Sequence, residues 1–251
     1  MPQFKSGFAF VNFLTSVRDQ YRFVHTPEVD EFLLTLVETA EARLKLIHAD
    51  SIFWRAQLGS VFEQRVSTHQ NVRDFFLSPL PAERMMPLAG SAREGRINPK
   101  GIARLYLATD QQTAMSEVRP WLGADVSVAA FHTRRDLRVV NCSIHHNVNC
   151  NEVDFLYHGR STEEIADGVW AQVDGAFSRP INDQPETAEY VPTQVIAEAF
   201  RQKGIDGVIY KSRLGPGSNL ALFDINSARV SQRILFKATS IEYRFEEGPQ
   251  L

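Results

Sequence analysis

Apolar and polar positions along this chain follow two periods. After Thr26-Pro27-Glu28, apolar side chains recur at Val29, Phe32, Leu33, Leu36, Val37, Ala40, Leu44 and Ile47. That is the spacing of one helical face. Glu28, Asp30, Glu31, Glu38, Glu41, Arg43 and Lys45 occupy the other side. Thr26 suits an N-cap and Pro27 a first turn. An amphipathic helix is therefore predicted from Pro27 through Ile47, within a helical segment covering residues 1–50. Its apolar face either packs on its own domain or meets a dimer mate or partner.

Beyond residue 50 the pattern shortens. Ser51–Ala56 reads as a strand, and Pro79, Pro81 and Pro87 mark a loop wrapping over the surface. A loop at Arg96–Gly101 leads into a strand at Arg104–Ala108. A helix then starts near Thr109 or Asp110, with Asp110 as cap and Pro120 as its end. Val126–Phe131 and Leu137–Asn141 read as strands, and Arg134-Arg135-Asp136 as a solvated turn between them, with Arg138 just beyond. Residues 161–178 open with Ser161-Thr162-Glu163-Glu164, an acidic first turn. A further helix from Pro192 closes at Gly204. Strands follow at Gly207–Ser212, Asn219–Phe223 and Arg233–Thr239, with Gly215-Pro216-Gly217 as a turn. Without regular βαβ alternation, this order predicts an α+β fold with a mixed or mostly antiparallel sheet. Residues 1–50 form a helical extension and 51–251 one domain.

The 251 residues are 43% hydrophobic and 23% charged, an ordinary globular composition with a core to bury. A net charge of −3 argues against a direct nucleic-acid partner, which needs a basic face. No apolar run approaches the roughly 18 residues of a membrane span, and Met1-Pro2-Gln3-Phe4-Lys5 lacks a signal-peptide layout. A cytoplasmic protein is expected, with no membrane partner and with Cys142 and Cys150 as free thiols. His145, His146 and His158 near those cysteines fit no zinc-finger spacing, and their Asn-rich surroundings read as a polar surface loop. No Walker-type loop and no Gly-x-Gly-x-x-Gly after a strand is present, against a P-loop NTPase or a Rossmann dehydrogenase.

The chemistry concentrates in Gly95-Arg96-Ile97-Asn98-Pro99-Lys100-Gly101, Leu105-Tyr106-Leu107-Ala108 and Thr113–Glu117. The Arg96 guanidinium can grip a diphosphate bidentately; otherwise it pairs with a nearby carboxylate. Tyr106 can stack on a ring or bond a ribose; otherwise it is a half-buried strand tyrosine. Glu117, among Ala114, Val118 and Trp121, can stabilise a cationic transition state or form an internal salt bridge. Ser212 ends an apolar strand before a glycine-rich turn, so it points into a cleft or caps the turn. No Gly-x-Ser-x-Gly elbow surrounds it, so a serine-hydrolase role does not follow. Arg55 sits in Phe53-Trp54-Arg55-Ala56, a charge that faces a pocket or pairs internally. Together these are parts for binding and breaking a dinucleotide.

The same segments resemble the RES domain family, named for its arginine, glutamate and serine. Phe53–Ala56 is similar to its opening strand, Gly95–Gly101 with Leu105–Ala108 to its signature, and Thr113–Glu117 to the helix carrying its glutamate. Tyr190–Gln194, Asp206–Ser212 and Asn219–Phe223 are similar to its late helix, serine strand and closing strand. The likeness covers roughly residues 50–225. It implies an ADP-ribosyltransferase-like fold with a split sheet, and an NAD+ phosphorylase or glycohydrolase acting as a bacterial toxin. NAD+ would be substrate, inorganic phosphate a candidate co-substrate, and no cofactor or metal is implied. On this reading the catalytic set is Arg96, Tyr106, Glu117 and Ser212, and Arg55, Arg96, Tyr106 and Asn219 hold NAD+. An ADP-ribosyltransferase acting on a macromolecule and a non-catalytic NAD+ or ADP-ribose module are the alternatives. Family toxins are neutralised by an Xre-type, DNA-binding antitoxin, and a homo-oligomer is also expected. Compact members lack a helical N-terminus like residues 1–50, which would serve dimerisation, replace part of an antitoxin surface, or carry a separate role.

Overall fold

The computed structural model describes residues 3–66, 73–88, 90–145, 161–179 and 187–242. Two N-terminal helices, α1 (Ala9–Asp19) and α2 (Pro27–Thr39), form as amphipathic units burying Phe10, Phe13, Val17, Val29, Phe32 and Leu36. The Thr26 hydroxyl caps α2 by accepting the Val29 amide, with Pro27 in the first turn. The helix is shorter than its periodicity predicts. It ends at Thr39, tightens into a 3₁₀ turn at Ala40–Arg43, and Leu44–Ile47 becomes strand β1. Leu44 and Ile47 are spaced for a helix, but antiparallel pairing to Val140 and Leu137 overrides that local pattern.

The strands β1, β2 (Ile52–Leu58), β5 (Leu105–Ala108), β6 (Asp125–Thr133), β7 (Leu137–Asn141), β8 (Gly207–Lys211), β9 (Ser218–Leu222) and β10 (Ala228–Lys237) make one sheet. Their order is β1-β7-β8-β9-β5-β2-β6-β10. Only β7–β8 is parallel, as expected where helices cross over between strands. A separate hairpin joins β3 (Val61–Val66) to β4 (Arg73–Ser78). It precedes a one-turn helix, α3 (Ala82–Met85), in the proline-rich stretch. Phe62, Phe75 and Leu77 stand exposed on that hairpin, which hides its alternation from a reading of the sequence.

The mixed sheet and flanking helices agree with the α+β expectation. Helices α5 (Thr162–Ser178) and α6 (Val191–Gln202) pack with α1 and α2 on one face, around Trp170, Phe177 and Phe200. Phe13 stacks on Phe32 at 4.5 Å, and the Trp170 indole donates to the Thr39 hydroxyl at 3.1 Å. The N-terminal helices thus share one core with the rest of this face. Ser161 and Glu164 close a capping box at the start of α5. The other face buries Phe53, Leu105, Leu107, Phe131, Ile209 and Leu220 under Leu80 and Met85. Each such side chain contributes roughly 1.5–3 kcal/mol by leaving water. The basic turn at Arg134–Asp136 is a staple. Arg135 pairs with Asp206, which also accepts the Arg138 amide at 2.8 Å, and Asp136 accepts the Ala49 amide at 2.8 Å.

The sheet is not equally tight across its width. Strand β2 pairs with β6 at seven positions, from Ile52↔His132 to Leu58↔Val126. It meets β5 at one, Trp54↔Ala108. The two halves therefore part along the rest of the β2–β5 seam, and the gap becomes a cleft. Among the described residues, no helix is long and apolar enough to cross a membrane.

Candidate active site

One wall of the cleft is built from helix α4 (Gln111–Glu117) and the turn between β8 and β9. Asp110 caps α4: its carboxylate accepts the Thr113 amide at 2.7 Å and the Thr113 hydroxyl at 2.8 Å. Burial works against that carboxylate's charge, but these bonds and one from Thr109 hold it below the usual range. The Gly217 amide donates to the Thr113 hydroxyl at 2.8 Å, which sews the turn to the helix. A Cβ at Gly217 would run into Asp110 and Thr109, so only glycine lets the two segments approach.

At the far end of α4 stands Glu117. Its Oε1 accepts the Ser212 hydroxyl and the Asn219 amide, both at 2.7 Å. Its Oε2 has no hydrogen bond among the described residues, and the side chain is exposed in the cleft. Ser212 is buried and also accepts the amides of Leu214 and Gly215, at 3.1 and 2.9 Å. Ser212 therefore caps the turn and, from behind the cleft lining, fixes the carboxylate that faces the cleft.

The opposite wall is the loop from Arg93 to Gly101. The Tyr106 hydroxyl donates to Asn98 Oδ1 at 2.7 Å and accepts the Ile97 amide at 3.0 Å. It is thus committed to the loop, and Tyr106 offers the cleft its ring. Burial pushes the phenol's pKa well up, with the Ile97 amide and the Arg96 charge opposing in part. Gln194 reaches in from α6, donating to Gly95 O at 2.9 Å and Asn98 O at 3.0 Å. Gly95 leaves room for this knot, since a Cβ there would lie 2.7 Å from the Tyr106 hydroxyl. Held in this way, Arg96 donates to Arg179 O at 2.6 Å and lies 5.9 Å over the Tyr210 ring. Arg55, on β2, donates Nη1 to Tyr106 O at 3.0 Å, while its buried Nε has no partner. Burial lowers its pKa, the direction expected of a cation deprived of water.

These walls enclose a cavity of about 560 Å³, within the usual size range of ligand sites. Arg55, Arg96, Tyr106, Glu117 and Asn219 all line it, and Ser212 lies just behind. Five cationic residues, Arg55, Arg96, Arg119, Lys211 and Arg213, face the single carboxylate Glu117. Sequence reasoning missed Tyr190, Tyr210, Arg119 and Arg213. The signal within reach was the Tyr-Lys-Ser-Arg run at 210–213, which puts charge and an aromatic beside the serine. It also missed Asn98 and Gln194, buried polar residues that set the loop. Such a site suits an anion with a flat ring: cations for phosphate, tyrosines for stacking, one carboxylate for developing positive charge.

Of the residues weighed for zinc, Cys142 and His145 are among those described. Cys142 is fully buried in the helical core rather than in a surface loop, and burial pushes its thiol pKa up. His146, Cys150 and His158 lie outside the described residues. Among the described residues no cluster of three His, Cys, Asp or Glu could hold a metal.

A family model described as the RES domain matches residues 73–246. That span contains Arg96, Tyr106, Glu117, Ser212 and Asn219 and begins after Arg55. No curated protein matches the chain. Among solved structures, a chain of the M. tuberculosis MbcT-MbcA toxin-antitoxin complex is similar at 15% identity, with 80% of this chain and 91% of that chain covered and a TM-score of 0.37.

Proposed function

Because the chain belongs to the RES domain family, we propose that it degrades NAD+ by cleaving the nicotinamide–ribose bond. The observation that carries this reading is the placement of Glu117. Ser212 and Asn219 hold one of its oxygens at 2.7 Å, and the other is left to the cleft, across from a cationic wall. Arg96 and Arg55 hold the diphosphate, and the Tyr106 and Tyr210 rings border the nicotinamide–ribose end. When the C–N bond breaks, its electron pair leaves with nicotinamide, which becomes neutral. The ribose carbon becomes oxocarbenium-like, and Glu117 stabilises that charge. Water then adds and gives ADP-ribose and a proton, or inorganic phosphate adds and gives the 1-phosphorylated ADP-ribose. The split between β2 and β5 is the feature that supports an ADP-ribosyltransferase-like arrangement.

In this reading the protein is a toxin whose product is NAD+ loss, acting in the cytoplasm, and an antitoxin protein restrains it by covering the cleft mouth. The shared core of α1, α2, α5 and α6 supports treating residues 1–50 as a brace for the catalytic unit. A transferase would use the same cleft with a macromolecular acceptor in place of water or phosphate. The test is expression in a bacterial host with cellular NAD+ followed over time. The wild-type chain is expected to deplete NAD+ and arrest growth, and Glu117→Gln at equal abundance to do neither. Arrest without NAD+ loss would favour the transferase, and equal tolerance of both chains a binding module.

A further inference from the structure

The cleft does not end at Arg55. On the other side of that side chain lies a second cavity of about 870 Å³, bordered by Arg55 and Tyr106 and lined also by Arg104, Arg84 and Arg93. Glu94 is its one carboxylate. Arg104 immediately precedes β5 and Tyr106 lies on it two residues further on, and both border this cavity. Arg104 is only 7% exposed. It donates Nη1 to Phe223 O at 3.0 Å, its buried Nε has no partner, and it forms no salt bridge among the described residues. Arg55 repeats the pattern, with one bond to Tyr106 O, an unpartnered Nε and no carboxylate. Burial lowers the pKa of both.

Two largely desolvated guanidiniums, each with an unpartnered Nε, are costly to a fold, and at Arg104 the favourable charge of Glu198 is opposed by that of Arg201. A bound anion would offset the cost of both at once, and a tetrahedral oxyanion has enough acceptors for two forks. We propose that this second cavity is an oxyanion site, in which Arg55 and Arg104 grip a phosphate group, free or carried by a nucleotide. The site shares Arg55 with the cleft of the proposed function and extends it through Arg104, and its phosphate binding is read separately from any cleavage of NAD+.

Inorganic phosphate is titrated at fixed ionic strength, with chloride as the balancing salt, and melting temperature and heat of binding are recorded. Saturable stabilisation is expected, with Kd weakened about tenfold or more in Arg104→Gln. ADP forms a second arm. If ADP shows the Arg104 dependence and free phosphate does not, the group arrives on a nucleotide. If neither does in a folded Arg104→Gln protein, the proposal is wrong. Should that variant fail to fold, selenate located by anomalous scattering in wild-type crystals decides. A peak within hydrogen-bond reach of both guanidiniums supports the site, and an empty cavity at saturating selenate overturns it.

Discussion

The Ser212 hydroxyl donates a hydrogen bond to Glu117 and accepts two from turn amides, so its loss acts twice. Ser212→Ala leaves two part-buried turn amides without their acceptor, which costs about 1 kcal/mol, and frees the carboxylate to swing. As a positioning residue it should lower kcat on the order of 100-fold with little change in KM. A raised KM at constant kcat would instead make Ser212 a substrate contact. Tyr106 has a similar place on the other wall. Tyr106→Phe removes a donor to Asn98 and an acceptor for Ile97, and should cost about 1–3 kcal/mol in a denaturant titration. Burial raises the folded pKa of Tyr106 and Tyr210 above that of the unfolded chain. Their contribution is therefore complete below about pH 10 and declines as pH climbs beyond it. Wild type should lose stability steeply above that pH and Tyr106→Phe more gently; parallel curves would remove Tyr106 from the account. At this scale the sequence exposed the candidate site residues but not their supports. Arg96, Glu117 and Ser212 stand out as polar residues in apolar or glycine-rich settings. Asn98 and Gln194 read as ordinary polar residues, because only the folded chain shows that they are buried together.

Among the elements, α4 shows how a short helix becomes a precise arm. Its seven residues carry the Asp110 cap at one end and Glu117 at the other. Asp110→Ala should cost about 1 kcal/mol through the lost cap and lower activity by loosening the turn at Gly217, while the protein remains folded. Because the folded carboxylate lies below its ordinary pKa of 3.8, its contribution is present above that value and fades as pH falls through the folded one. An acid titration in which wild type and Asp110→Ala differ equally at pH 7 and pH 2 would contradict this. The caps at Thr26 and Asp110 and most strands are legible in the sequence, since caps and alternation are local. The end of α2 is not, because Leu44–Ile47 satisfies both helical and strand spacing and only pairing with β7 decides. The β3–β4 hairpin escaped for the opposite reason, since its large apolar residues face outward.

For the whole molecule, charge and topology work together. The chain carries a net −3, yet the cleft gathers five cations against one carboxylate. The sheet puts them there by parting at β2–β5, where a single pair joins strands that are otherwise firmly bonded to their other neighbours. Helix α4 and the β8–β9 turn form one wall, and the Arg93–Gly101 loop, held by Gln194 from the helical layer, forms the other. No short window of sequence contains that seam, so the cleft's position could be named only through a family likeness. The central claim is that this cleft breaks the nicotinamide–ribose bond of NAD+. Its most direct test is purified protein incubated with NAD+, with and without inorganic phosphate, with the products weighed by mass spectrometry beside Glu117→Gln. The account predicts one nicotinamide released for each ADP-ribose or phosphorylated ADP-ribose formed, and a loss of about 100-fold or more in the variant. Intact NAD+ in the presence of folded wild-type protein, with phosphate and without it, would contradict it.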